Sequence, residues 1–360
     1  MSTKDESTKD EAPKDEAPKG EAPKGEAPVA AERIWVGGYT DDMNGSAEGI
    51  VLLLVAEDGS LEDHGIAVAA ESPSYLAQSG DTIYAVSEGA AAVSAYRIAG
   101  NELHFLGMQS TAGPLPCAVT VLGDRVALAV ACYGDGSLDV HPIAPNGALA
   151  KTVQSLRGLG KGTRINQDGP HAHATLHVDA TTVLSTDLGT DDIYIHTLSG
   201  DLLSRVGAVK LPAGSGPRDL LLHPSGVIVV VSELSHELFL LTRNGLEFTV
   251  SGSLKLPGAE EGDHAAGLAL SADNRFLYSA LRGSDTIAIV ELSADAKTLK
   301  AVGSVSCGGG WPRHLVVDGN RLRVANQLTN SIVTFAIGPD GMPTKESSLL
   351  AHSPTYLLLD

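Results

Sequence analysis

Long apolar runs are absent from this chain. Its 360 residues contain no stretch of about 18 consecutive apolar side chains, so nothing in it reads as a membrane-spanning helix. The N-terminus has no apolar core of the kind a secretory signal needs, and export is not expected. Cysteine is sparse. Cys117, Cys132 and Cys307 form an odd set with no CxxC pair and no metal-ligand spacing, which favours reduced, buried thiols in a cytoplasmic protein over a disulfide framework. Basic residues number 25 against 44 acidic ones, and the net charge of −19 argues against the clustered Lys and Arg that nucleic-acid backbones require. Neither nucleic acid nor a membrane is therefore an expected partner. Aromatic residues are only 4% of the chain, little material for the hydrophobic docking patches of protein-binding scaffolds.

What the chain does have is a repeated phrase. Its clearest copies are SGPRDLLLHPSGVIVVVSEL (215–234), GPHAHATLHVDATTVLSTDL (169–188) and WPRHLVVDGNRLRVANQL (311–328), with weaker ones at 72–89, 115–134 and 264–283. The chain closes on SPTYLLLD (353–360), the first third of the unit. Anchors at Pro73, Pro116, Pro170, Pro217, Ala265, Pro312 and Pro354 lie 42 to 54 residues apart. Units of this length built from short strands predict an all-β fold, a β-propeller with four strands per blade.

Residues 216–262 show how one blade reads. Leu220–Leu222 is a short apolar run suited to an inner strand buried on both faces, and His223-Pro224-Ser225-Gly226 is a turn. Val227–Ser232 is a continuous β-branched second strand, Leu238–Thr242 a third, and Asn244-Gly245 a hairpin signal before Phe248–Leu254. Arg33–Thr40 resembles a second strand with no first. Thr355–Leu359 supplies the missing inner strand, giving seven blades with the ring closed by the C-terminal strand joining the N-terminal blade. The propeller is expected to occupy residues 31–360. Residues 1–30 are of another kind: KDEST, KDEAP, KDEAP, KGEAP and KGEAP follow one another in fives, with proline too frequent for a helix and too little to bury, which predicts a disordered, charged tail.

Antiparallel strands bring the start of each inner strand and the end of the second strand to one rim. Starts carry His171, His173, Arg218 and Arg313; ends carry Asp187, Glu233, Arg282 and Gln327; Thr40, Glu88 and Tyr133 join them from other blades. The separations agree, 14 residues from His173 to Asp187, 15 from Arg218 to Glu233 and 14 from Arg313 to Gln327. Inner strands converge on the axis, so these groups should ring one mouth of the central channel. So many charges at one place are costly unless a ligand satisfies them. In an otherwise acidic protein the ligand expected is a small anion. His171 and His173 are two apart and should face one side; an HxH pair can bind zinc, but no third ligand is evident and no metal is expected.

These same residues carry a family resemblance. PHAH (170–173), DLG (187–189), GPR (216–218), SEL (232–234), RG (282–283), PR (312–313) and ANQ (325–327), with Gly38-Tyr39-Thr40, resemble the lactonase family of seven-bladed β-propellers over essentially all of 33–360. That family comprises bacterial propeller-type 6-phosphogluconolactonases and fungal carboxy-cis,cis-muconate cyclases. The resemblance implies a lactone hydrolase, a carboxylic ester hydrolase of the pentose phosphate pathway, opening 6-phospho-D-glucono-1,5-lactone to 6-phosphogluconate as a cytoplasmic monomer without a cofactor. It places His173, Arg218, Glu233, Arg282 and Arg313 at the site. His173 is expected as the base, Glu233 as its partner in proton work and Arg218 as stabiliser of the oxyanion. Arg282 and Arg313, helped by His171, Gln327 and Asp187, would hold the substrate. The pattern departs from the family where GPRH reads GPRD at Asp219, where PCH reads Pro116-Cys117-Ala118, and where RQ reads Asn166-Gln167. Two alternatives stand beside this reading: a lactonase or cycloisomerase acting on another carboxylated lactone such as a muconolactone, and a non-catalytic propeller that binds other proteins.

Overall fold

The computed structural model describes residues 32–360, together with Met1 and Ser2. The charged repeat expected to be a disordered tail lies outside the described residues but for those two.

Seven four-stranded antiparallel sheets make up residues 33–359, and each is one blade. The fifth blade has the strands Pro217–Leu222, Ile228–Ser232, Glu237–Asn244 and Glu247–Lys255 from inside to outside, with Gly245 (φ 63°) turning the hairpin where Asn244-Gly245 was expected to. The first blade takes its inner strand from the far end of the chain. Pro354–Leu359 pairs antiparallel with Arg33–Gly38, placing Trp35 opposite Leu358 and Val36 opposite Leu357. The inner edge of Arg33–Gly38, which an open ring would leave free, is thereby paired.

The inner strand is not the doubly buried element expected. Of its six residues in the fifth blade only Pro217 and Leu220 are buried, because one side borders the channel; every residue of Ile228–Ser232 is buried. The apolar core lies between blades. Val229, Val231 and Leu240 of the fifth blade pack with Ala265, Leu277 and Val290 of the sixth, and each neighbouring pair around the ring has such a cluster. Each fully buried Val or Leu in these seams contributes about 1.5–3 kcal/mol, so neighbouring blades hold one another in place and fix the spacing of whatever they carry at the axis.

One irregularity positions the site. The inner strand of the fifth blade pairs Pro217 with Ser232 and then Asp219 with Val231, leaving Arg218 as an extra residue. Cys117, Arg313 and Thr355 are extra in the same way, and the fourth and sixth blades slip by one residue at Ala172/Thr175 and Ala265/Leu268. A bulge re-aims the extra side chain. Here the same re-aiming recurs in six of the seven blades and turns side chains toward the axis.

Candidate active site

The channel mouth opens into a cavity of about 330 Å³ lined by the bulged residues Cys117, His173, Arg218, Arg313 and Thr355 and by Tyr39, Glu88, Tyr133, Glu233 and Arg282 from the ends of second strands. That volume lies at the small end of ligand pockets. One residue further along the inner strands, Tyr75, Asp219, His314 and Tyr356 form a second tier of the lining. His314 and Tyr75 each sit 4.0 Å, ring centre to ring centre, from Tyr356.

Glu233 is the hub. Its Oε2 accepts from Arg218 Nη1 at 2.6 Å and lies 2.8 Å from Arg282 Nη2; its Oε1 accepts from His264 Nδ1 at 3.0 Å. Burial alone would raise the pKa of this carboxyl, but Arg282, Arg218 and the His264 hydrogen bond hold it well below the usual range, so it is ionised. Arg218 Nη1 also donates to His173 Nε2 at 2.6 Å. That bond takes the Nε2 lone pair and puts the imidazole proton on Nδ1. Burial first, and the Arg218 charge second, push the His173 pKa well below its ordinary value, leaving the ring neutral.

Positive charge exceeds what Glu233 can balance. Burial and the charges of Arg218 and Arg313 push the Arg282 pKa down to about 9 despite Glu233, and the Nη2 contact with Glu233 is too poorly aligned to be a hydrogen bond. Arg313 has no carboxylate within ion-pair distance among the described residues; its Nε donates to Gln327 Oε1 and its guanidinium lies 4.8 Å from the Tyr39 ring centre. Across the cavity Glu88 accepts from Tyr39 Oη at 3.1 Å and from Ser74 Oγ, and burial raises its pKa. Burial raises that of Asp219 too, whose oxygens accept from the backbone N–H groups of Leu220 and Leu268.

The structure thus gathers His173, Arg218, Glu233, Arg282 and Arg313 about one space, with Gln327 behind Arg313. It sets His171 and Asp187 outside the lining. The Leu188 N–H bonds to His171 O as that of Glu233 does to Gly216 O, so Leu188, not Asp187, is the counterpart of Glu233. The anchor of this blade is accordingly Ala172, opposite Asp187, and not Pro170. Asp187 Oδ1 accepts from the N–H groups of His171, Gly189 and Thr190 and so holds the turn together. The His171 ring stacks on Tyr133 at 4.5 Å, with Nδ1 on Tyr133 O and Nε2 on Asp168. Thr40 is also displaced: its hydroxyl bonds Asp42 and its place in the lining belongs to Tyr39. The contacts missed from sequence are the second tier, which only the bulges reveal, and His264, which sits where His171 does in its own blade, one residue before the anchor. No group of three or more His, Cys, Asp or Glu able to hold a metal occurs among the described residues.

A family profile described as the seven-bladed β-propeller lactonases matches residues 33–358. The chain belongs to that lactonase family. Its enzyme class is that of the family, carboxylic ester hydrolases acting on lactones. A 6-phosphogluconolactonase of Bacillus subtilis is 32% identical over 84% of this chain and 90% of its own length. Among solved structures, a candidate 6-phosphogluconolactonase of Bacteroides fragilis superimposes with a TM-score of 0.87 at 26% identity, covering 93% of this chain and 99% of that one. A periplasmic gluconolactonase of Pseudomonas aeruginosa gives 0.84 at 26% identity, with 92% and 99% covered. No helix among the described residues is long and apolar enough to cross a membrane.

Proposed function

We propose that this lactonase opens an anionic sugar lactone, with 6-phospho-D-glucono-1,5-lactone as substrate and 6-phosphogluconate as product. The observation that carries the reading is the cavity's surplus of buried guanidinium charge around Glu233: an anion is the ligand that would relieve it. The B. subtilis relative, named for this substrate, supports it.

In this mechanism Arg282 and Arg313 grip the phosphate and the lactone carbonyl lies against Arg218. As water attacks, negative charge grows on the carbonyl oxygen and draws Arg218 toward it. That movement frees His173 Nε2, already unprotonated, to take the water's proton, while Glu233 keeps Arg282 in place. The carbon–ring oxygen bond breaks, the ring oxygen takes up a proton, and the new carboxyl group ionises, releasing one proton per turnover. Three free thiols agree with the reducing cytoplasm where sugar phosphates are found.

A neutral or carboxylated lactone is the second reading, favoured by Arg164. This arginine lies against Gly214, outside the cavity, so among the described residues no fourth cation faces a phosphate dianion. pH-stat hydrolysis of fresh 6-phosphogluconolactone, corrected for spontaneous opening and set beside unphosphorylated gluconolactone, separates the two. Fast turnover of the phosphorylated compound, reduced about 10²–10³-fold in Arg218→Ala, is expected. A rate no greater than background would overturn this substrate.

A further inference from the structure

Lactone hydrolysis at neutral pH leaves a carboxylate and a free proton, and a cavity crowded with guanidinium groups is a poor place to keep it. Its exit is served by an acceptor that is bonded to the site's charged hub and open to the solvent. Among the described residues around Glu233, Arg218 and Arg282 hold their protons at neutral pH, and His173 in the cavity lining is committed to the attacking water's proton. His264 differs from all three.

His264 opens the inner strand of the sixth blade and lies opposite Arg282 in the ladder. Since an ionised carboxylate can only accept, its Nδ1 donates to Glu233 Oε1, which fixes the tautomer and leaves the lone pair on Nε2. Nε2 has no hydrogen-bond partner among the described residues, and 30% of the side chain is exposed. His171, at the matching position two blades away, has both ring nitrogens engaged. The other charged groups facing His264 are accounted for. Arg282 Nε bonds its backbone oxygen, and the neighbouring Asp263 carboxylate is turned to Ser284 and to the Glu260 N–H. The Trp311 ring lies 6.3 Å away and carries no charge. A carboxylate on Nδ1 orients the ring and leaves Nε2 open to solvent as the atom that can take a proton.

We propose that His264 is the proton outlet of the site, a relay residue oriented by Glu233 that collects the product's proton on Nε2 and passes it to bulk buffer. This rests on the lactone-hydrolysis reading. The balance is simple: water adds to the carbonyl carbon, the ring C–O bond breaks, one water proton stays on the ring oxygen, and the other, lost from the new carboxyl group through solvent at the mouth, goes to Nε2 and out.

The test is product formation by wild type and His264→Gln, followed by chromatography in dilute buffer and again with concentrated imidazole. Glutamine can still donate to Glu233, so the hub should stay ordered and KM and Tm unchanged. The expected result is wild-type turnover indifferent to buffer, and kcat in the variant lowered about 10²-fold in dilute buffer and restored by imidazole. Loss of kcat without rescue, or no loss at all, would overturn the outlet while leaving the hydrolase reading intact. A wild type inert toward every lactone tried would remove that reading and the outlet with it.

Discussion

At the scale of single residues, the site is a problem in charge neutralisation. Glu233 holds two guanidinium groups and an imidazole, so Glu233→Gln should destabilise the fold by about 3–5 kcal/mol, the cost of leaving buried charge unpaired, as read from urea unfolding. His173 gives a second prediction. A base must be unprotonated, and burial with Arg218 lowers the pKa of this ring, so the unprotonated form persists below the ordinary imidazole value. The acid limb of kcat/KM should therefore fall below pH ~6.5, and Arg218→Gln should shift the limb of its residual activity upward. A wild-type limb at or above that pH would take the base role from His173. The charges were legible in sequence because the repeat lined them up. Their aim was not: Asp187 and Leu188 are adjacent letters, and only the hydrogen bond from the Leu188 N–H to His171 O tells which one matches Glu233.

At the scale of strands, the apolar and β-branched runs and the turn chemistry revealed where elements lie to within about three residues. The bulges were hidden. An extra residue leaves no mark on composition or spacing beyond the drift of 14 to 15 residues between rim positions, yet it decides which side chains reach the cavity. The approach to the inner strand adds its own constraint, since Ser72, Leu115, Gly216, Trp311 and Ser353, each just before its anchor, have positive φ. Four of the five are not glycine, a backbone cost that tends to be tolerated where it serves a site. Sheet interiors also carry titratable groups with no part in the chemistry. His196, fully buried beside Ser185 Oγ, has its pKa pushed down to about 3 by burial and Arg205. Below the unfolded value of about 6.5 the unfolded chain takes up a proton that the fold refuses, so stability falls with pH by about 1.4 kcal/mol per unit. His196→Leu should flatten the dependence of unfolding free energy on pH by that slope between 6 and 5 on the pH scale.

At the scale of the whole molecule, the fold was the most legible level, because six copies of one phrase and a terminal fragment of it admit few arrangements. The seam makes a test. Truncation after Ser353 removes the strand facing Trp35 and Val36, along with Thr355 and Tyr356 of the cavity lining. The shortened chain should lose its single cooperative unfolding transition and aggregate on a sizing column through the exposed edge. A monodisperse, cooperatively melting product would mean the ring does not depend on its last strand.

That seam also sets a moment in the life of the protein. Chains are made from the N-terminus at about 5–20 residues per second, and the strand that completes the first blade is made after every other strand of the ring. A ribosome that has passed Gln327 has already laid down every arginine, histidine and glutamate of the site, but the seventh blade does not yet abut the first. The distance between Arg313 and Tyr39 is still undetermined. Turnover should begin only after Pro354–Leu359 has been made and has paired, and a fragment released earlier carries the right groups without the geometry that lets them act together.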